Sequence, residues 1–209
     1  MSHAPTFLIV PGLRDHVATH WQTLLAAELP KASIVAPLER DKLSCAARVD
    51  AITQALAGIE GPVVMVAHSA GCMMVAHWAQ QAASQRAPQP AAPQPAAPDD
   101  LRRVQAALLV APADLETPMP EGYPTVDLLE RHGWLPVPRA PLPFTSLVAA
   151  SSNDPLARLA RTRGFASDWG SRVVELGPVG HVNPASGHGH WPQAQALLQQ
   201  LLAMTPNPA

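Results

Sequence analysis

The residues with the clearest chemical potential lie in Val63-Val64-Met65-Val66-Ala67-His68-Ser69-Ala70-Gly71-Cys72-Met73-Met74. An apolar, β-branched run meets a serine with a small residue two positions to either side, and helix-forming residues follow. This is the pattern of a nucleophile elbow, a turn so tight that only small residues fit beside the serine backbone. It lifts the Ser69 hydroxyl above the edge of a sheet. It also places the Ala70 N–H, at a helix N-terminus, where the oxygen of an attacked carbonyl would sit. The first small residue is Ala67 where glycine is usual, a departure that the size requirement tolerates. A Ser-x-Gly triplet says nothing alone; between a strand and a helix it points to nucleophilic catalysis.

A nucleophilic serine needs a base, and the base needs an orienting carboxylate. The chain supplies them in the order serine, acid, histidine, each beyond an apolar run. Asp154 lies in Ser152-Asn153-Asp154-Pro155 and His181 in Gly177-Pro178-Val179-Gly180-His181. Asp154 alone would pass for the N-cap of a helix starting at Pro155, and His181 for a surface histidine. Together, in order and at strand ends, they favour a triad over competitors such as Asp114, Asp127 and Asp168. A second oxyanion donor is expected from Leu13 in Pro11-Gly12-Leu13, after the first strand. Trp21 and Trp191 are candidates for the acyl-pocket wall, with core packing as the ordinary alternative.

Other residues weigh less. His16 and His20 are four apart on a possible helix beside Asp15, and His188-Gly189-His190 is a short His-x-His. Neither HExxH nor CxxC accompanies them, so no metal and no cofactor is expected. Cys72 reads as a small hydrophobe beneath the elbow. Cys45, near a helix start, is open to a lowered pKa.

These residues need strands and helices to hold them. Apolar runs at Phe7–Val10, Ser33–Ala36, Pro62–Ala67, Val104–Ala111, Thr145–Ser151 and Ser171–Leu176 read as buried strands. Helical segments lie between them: Thr19 to Leu29, a helix opened by Ser44 and ending near Gly58, Gly71–Ala83, and a last one from Pro192. The alternation predicts an α/β fold with a mostly parallel sheet and helices on both faces. Residues 86–100 break the rhythm with a tandem Gln-Pro-Ala-Ala-Pro duplication and five prolines, read as an exposed polyproline loop inserted in a single domain spanning 1–209. The stretch from Pro112 to Pro143 holds eight more prolines, and is expected to be either a lid or wall over the site or a wrapped surface loop.

Composition narrows the class. The chain has 209 residues, 47% of them apolar and only 14% charged, against about 25% charged in an average soluble protein. This excludes a disordered chain and a surface-helix or coiled-coil protein. A net charge of −2 gives no electrostatic case for nucleic acid or anionic lipid as partner. Two cysteines exclude a disulfide scaffold and fit a reducing compartment. The first apolar run, Phe7–Val10, is too short for a signal-peptide core, and the uncharged stretch Gly61 to Gln85 is broken by His68, Ser69, Gly71 and His77, so no membrane span is expected. The expected location is the cytoplasm.

Six blocks in order, Leu8-Ile9-Val10-Pro11-Gly12-Leu13, His20-Trp21-Gln22, the elbow, Leu109-Val110-Ala111-Pro112-Ala113-Asp114, Ala150 to Pro155, and Gly180-His181-Val182-Asn183, resemble the small YdeN-like, retinoblastoma-binding-protein-type serine hydrolases. Ser186 to Pro192 is similar to that family's closing motif. The resemblance covers nearly the whole chain except 86–100. It implies a compact α/β-hydrolase fold and a triad of Ser69, Asp154 and His181. The expected function is cleavage of a small ester or related acyl substrate through an acyl-enzyme. The alternatives are a catalytically silent binding module of the same fold, and an acyltransferase.

Overall fold

The computed structural model describes residues 4–86 and 100–206. The Pro/Ala-rich insertion of the sequence reading falls almost wholly outside the described residues.

Six strands form one sheet in the order β2-β1-β3-β4-β5-β6: β1 (Thr6–Val10), β2 (Ala32–Ile34), β3 (Val63–His68), β4 (Val104–Val110), β5 (Thr145–Ser151) and β6 (Arg172–Gly177). All five pairings are parallel. Among the described residues seven α-helices accompany them: α1 (Trp21–Glu28), α2 (Cys45–Ala57), α3 (Ala70–Arg86), α4 (Asp100–Arg103), α5 (Val126–Arg131), α6 (Leu159–Asp168) and α7 (Gln193–Met204).

The central strands β1, β3, β4 and β5 are mostly apolar because both faces are covered, while the edge strands β2 and β6 are partly exposed. In β1, Leu8 and Val10 join the core under α2, α3 and α6, while Phe7 and Ile9 join a second core under α1 and α7. In β3, Met65 and Ala67 face the first core, Val64 and Val66 the second. The sheet's period of two divides the apolar residues between two layers. The uncharged stretch from Gly61 resolves into β3, a turn and α3. Among the described residues no helix is long and apolar enough to cross a membrane.

Ser44 caps α2 by accepting the Ala47 N–H at 3.2 Å, and Gly58 ends that helix, both as the sequence indicates. Elsewhere the boundaries move. No helix starts at Pro155; α6 begins at Leu159, because the Asp154 carboxylate accepts the Leu156 N–H at 2.8 Å and closes a turn instead. His16 lies outside α1, which His20 caps by accepting the Gln22 N–H at 3.2 Å on Nδ1.

The proline-rich stretch after β4 is a wall anchored to the body, and it contains α5, which its prolines conceal in the sequence. Trp134 is fully buried there, its indole N–H donating to Leu43 O at 2.7 Å and its carbonyl accepting from His77 Nε2 at 3.0 Å. The Trp169 indole donates to Pro138 O at 2.9 Å. Arg139 and Arg161 stack on Phe165 and pair with acids of the wall and of α6, Arg139 with Glu116 and Asp168, Arg161 with Asp114 and Glu116. Burial alone would raise the Asp114 carboxyl, but the Arg161 guanidinium, with the Glu116 N–H and the Thr117 hydroxyl, outweighs it and holds Asp114 below the usual carboxylate range. A carboxyl depressed on folding adds stability above its unfolded pKa of about 4, and that contribution is lost as pH falls through the lower folded value. The melting temperature should therefore drop on acidification below pH about 4, and less steeply in Asp114→Asn, as calorimetry would show.

Candidate active site

The carboxyl ends of the parallel strands gather every chemically notable loop on one edge, where open α/β sheets bind ligands. Ser69 follows β3 with φ 58, a left-handed conformation rare for a side chain other than glycine. It is held there because its N–H donates to Val110 O and its carbonyl accepts from Cys72 N, each at 3.0 Å. The turn runs straight into α3, whose first residue is Ala70.

The two residues that flank the serine differ in tolerance. Ala67 is completely buried inside β3, where a methyl fits. At Gly71 a Cβ would stand 2.4 Å from Val10 O and 2.8 Å from Pro11 O, so the first turn of α3 lies directly on the end of β1. Backbone cannot yield as a side chain can. Gly71→Ala should cost at least the about 1–3 kcal/mol of ordinary overpacking and displace Ser69. Gly164, in α6 with open space around it, should instead gain about 0.5–1 kcal/mol as alanine. Melting curves of the two variants check the contrast.

His181 and Asp154 meet Ser69 as their order in the chain predicts. The Ser69 hydroxyl is 2.9 Å from His181 Nε2, and His181 Nδ1 is 2.8 Å from Asp154 Oδ2 and 3.0 Å from Oδ1. Asp154 is 3% exposed and His181 6%, so the pair is withdrawn from water while Ser69 remains accessible. Two neighbours not foreseen from sequence position this pair. Asn153 Oδ1 accepts from Gly180 N at 2.6 Å and from the Ser151 hydroxyl at 3.0 Å, tying the loop that carries Asp154 to the loop that carries His181. His68 Nε2–H donates to His181 O at 2.8 Å. The rings of His20, His68 and His181 form a row, with centroids 4.7 and 4.8 Å apart. Burial, then the neighbouring imidazoles, push His68 well below the ordinary histidine pKa and bring His20 down to about 4.

The loop after β4, which carries the competing acid Asp114, is placed as well. Asp114 is held by Arg161 at 2.8 Å and accepts within the wall from Glu116 N and the Thr117 hydroxyl, while the His181 imidazole bonds to Asp154. Gly12 lies against the serine: a Cβ there would be 3.2 Å from Ser69 Cβ. Leu13 follows in a turn closed by Asp15 N–H to Gly12 O at 3.1 Å. Arg48 of α2, 3% exposed, clamps this loop from beneath, donating to Leu13 O at 3.1 Å, to Lys42 O at 2.7 Å and to Asp15 Oδ1 at 2.8 Å. Nothing local in the sequence marks Arg48, because all three partners are distant along the chain or carry backbone acceptors.

A cleft of about 430 Å³ opens above Ser69, in the size range of small-molecule sites. Leu13, Leu43, Leu115, Met119, Tyr123 and Leu156 give it apolar walls. Trp21 and Trp191 are not among its lining residues, which corrects the sequence expectation. Trp21 is 1% exposed and packs edge-on to Trp191 at 5.1 Å and to His68 at 5.9 Å, in the core beneath α1 and α7. A helix presents its bulky residues to the sheet it covers, and here that demand prevails. The remaining histidines scatter: His190 approaches Glu28 at 3.3 Å and His188 the Ser186 hydroxyl at 3.3 Å. Cys72 is buried beneath the elbow with its thiol pushed up in pKa by burial. Cys45 is pushed up to about 12 because burial outweighs the nearby Arg48, contrary to the lowered value open from its helix position.

A model of the serine hydrolase family matches residues 7–200. The chain belongs to the serine hydrolases. A search of curated proteins gives no match. Among solved structures, a protein of Pectobacterium atrosepticum described as a YdeN-like hydrolase is 26% identical to this serine hydrolase, with a TM-score of 0.71 over 96% of this chain and 92% of that one. The ydeN gene product of B. subtilis is 17% identical, with a TM-score of 0.65 over 96% and 100% of the two chains. Est1E of Butyrivibrio proteoclasticus, solved with ferulic acid, is 11% identical and shares the fold at a TM-score of 0.62 over 95% and 90%. The resemblance read from the ordered sequence blocks is thus found again in the family match and in the fold.

Proposed function

We propose that this serine hydrolase cleaves a small ester or related acyl substrate through a covalent acyl-enzyme on Ser69. The observation that carries the reading is the unbroken line of contacts from Ser69 Oγ through His181 to Asp154 at the floor of an apolar cleft. His181 Nε2 takes the hydroxyl proton as Oγ bonds to the carbonyl carbon, then returns it to the departing alcohol. Asp154 accepts from Nδ1–H, fixing the tautomer that leaves Nε2 free to accept, and stabilises the imidazolium. The amides of Ala70, opening α3, and Leu13, whose N–H has no acceptor among the described residues, receive the oxyanion. Water activated by His181 then releases the acid.

The cleft volume favours short and medium acyl chains. On p-nitrophenyl esters of rising length, kcat/KM should climb with the first added methylenes and then fall, and Ser69→Ala should be inert throughout. A flat profile equal in both proteins would refute the reading. Free, buried Cys45 and Cys72 support a reducing compartment, and hence a cytoplasmic location.

A further inference from the structure

The charged side chains lining the cleft are Arg14, Asp15 and Lys42. Asp15 is answered from within the body by the buried guanidinium of Arg48 at 2.8 Å. Arg14 and Lys42 have no carboxylate within ion-pair distance among the described residues. The neighbouring imidazoles of His20 and His68 are neutral near pH 7 and add no charge. A chain with a net charge of −2 therefore presents a positive face in the one place where its nucleophile is exposed.

Arg14 is also held in position. It follows Leu13 directly, and its guanidinium carbon lies 5.0 Å from the centroid of the Tyr123 ring, across the cleft on the anchored wall. Stacking occupies the flat face of a guanidinium and leaves its in-plane N–H donors free, in the fork that matches a carboxylate or phosphate. We propose that the cleft selects acyl substrates bearing an anionic group, received by Arg14 with Lys42 at the rim. The proposal rests on the esterase reading and narrows its substrate class. Low-dielectric walls focus such a field and strengthen it beyond that of a fully exposed pair.

The test compares two matched pairs of esters. p-Nitrophenyl hydrogen succinate against p-nitrophenyl butyrate carries the charge in the acyl chain; para-acetoxybenzoate against its methyl ester carries it in the leaving group. Because intrinsic reactivities differ within a pair, the readout is the charged-to-neutral ratio of kcat/KM in wild type divided by that in Arg14→Gln. A quotient of about ten in one pair supports the proposal and tells which end carries the anion. Added salt should lower the charged rate alone. Ratios within twofold in both pairs overturn it. A second measurement is independent of turnover: calorimetry on Ser69→Ala with ethyl hydrogen succinate and ethyl butyrate should show tighter binding of the anion, abolished by Arg14→Gln. Preferential anion binding without turnover in wild type would uphold the anion site and defeat the esterase reading. Ester cleavage with an unmoved ratio would do the reverse.

Discussion

Ser69→Ala should abolish turnover, by about six orders of magnitude if the serine works with its histidine as a unit. The reason lies in where the proton can go. Of the hydroxyls in the chain, that of Ser69 is placed 2.9 Å from an imidazole nitrogen whose opposite nitrogen is bonded to a buried carboxylate. A fluorophosphonate should therefore label Ser69 at about one group per chain, and nothing in Ser69→Ala. Labelling should slow severely in His181→Ala, where the hydroxyl persists but its acceptor is gone. Intact-mass measurement reads both results. Folded wild-type protein that takes up no label would leave a silent binding module as the better account.

The second large effect separates two aspartates with similar credentials. Asp154→Asn should lower turnover about 10⁴-fold and leave the melting curve almost unchanged. Asparagine retains the oxygen that accepts the Leu156 N–H, so the turn survives. Its amide would present N–H to His181 Nδ1, forcing the proton onto Nε2, and Ser69 would lose its acceptor. Asp114→Asn should do the opposite. It removes a carboxylate held by Arg161 on two atoms, at 2.8 and 3.0 Å, and should cost about 2 kcal/mol, or about 4–8 °C in a domain of this size. Turnover should stay near that of wild type. A reversal of the two outcomes would move the acid of the triad to the loop after β4.

The contrast also shows what a sequence makes legible. The elbow, β5 and the order of the three site residues can be read because each depends on neighbours in the chain: an apolar run, a small residue, a turn. Asp154 can be proposed as the acid although the helix expected at Pro155 is absent, since its place after β5 is what matters. Trp21 and Trp191 are misread because an aromatic residue beside a motif looks the same whether it faces a ligand or a sheet. Arg48, Asn153 and His68 act through backbone groups far along the chain, such as Leu13 O, Gly180 N and His181 O, and local pattern carries no trace of such partners. Helix α5 is hidden by the prolines around it, while Trp134, which anchors that stretch, is indistinguishable in sequence from an exposed tryptophan.

The wall that carries Tyr123 and Met119 is nailed down at Trp134, Pro138 and Asp114, and Arg48 fixes the loop opposite. Lidded enzymes spend much of each cycle opening and shutting, and their rates register the friction of the surrounding fluid. Here both jaws are bolted to the frame. Diffusing substrate would meet a ready-made mouth, and on the proposed mechanism no opening step is expected to limit the rate. Thickening the medium with sucrose should therefore leave kcat unaltered, and lipid–water interfaces should bring no burst of activity.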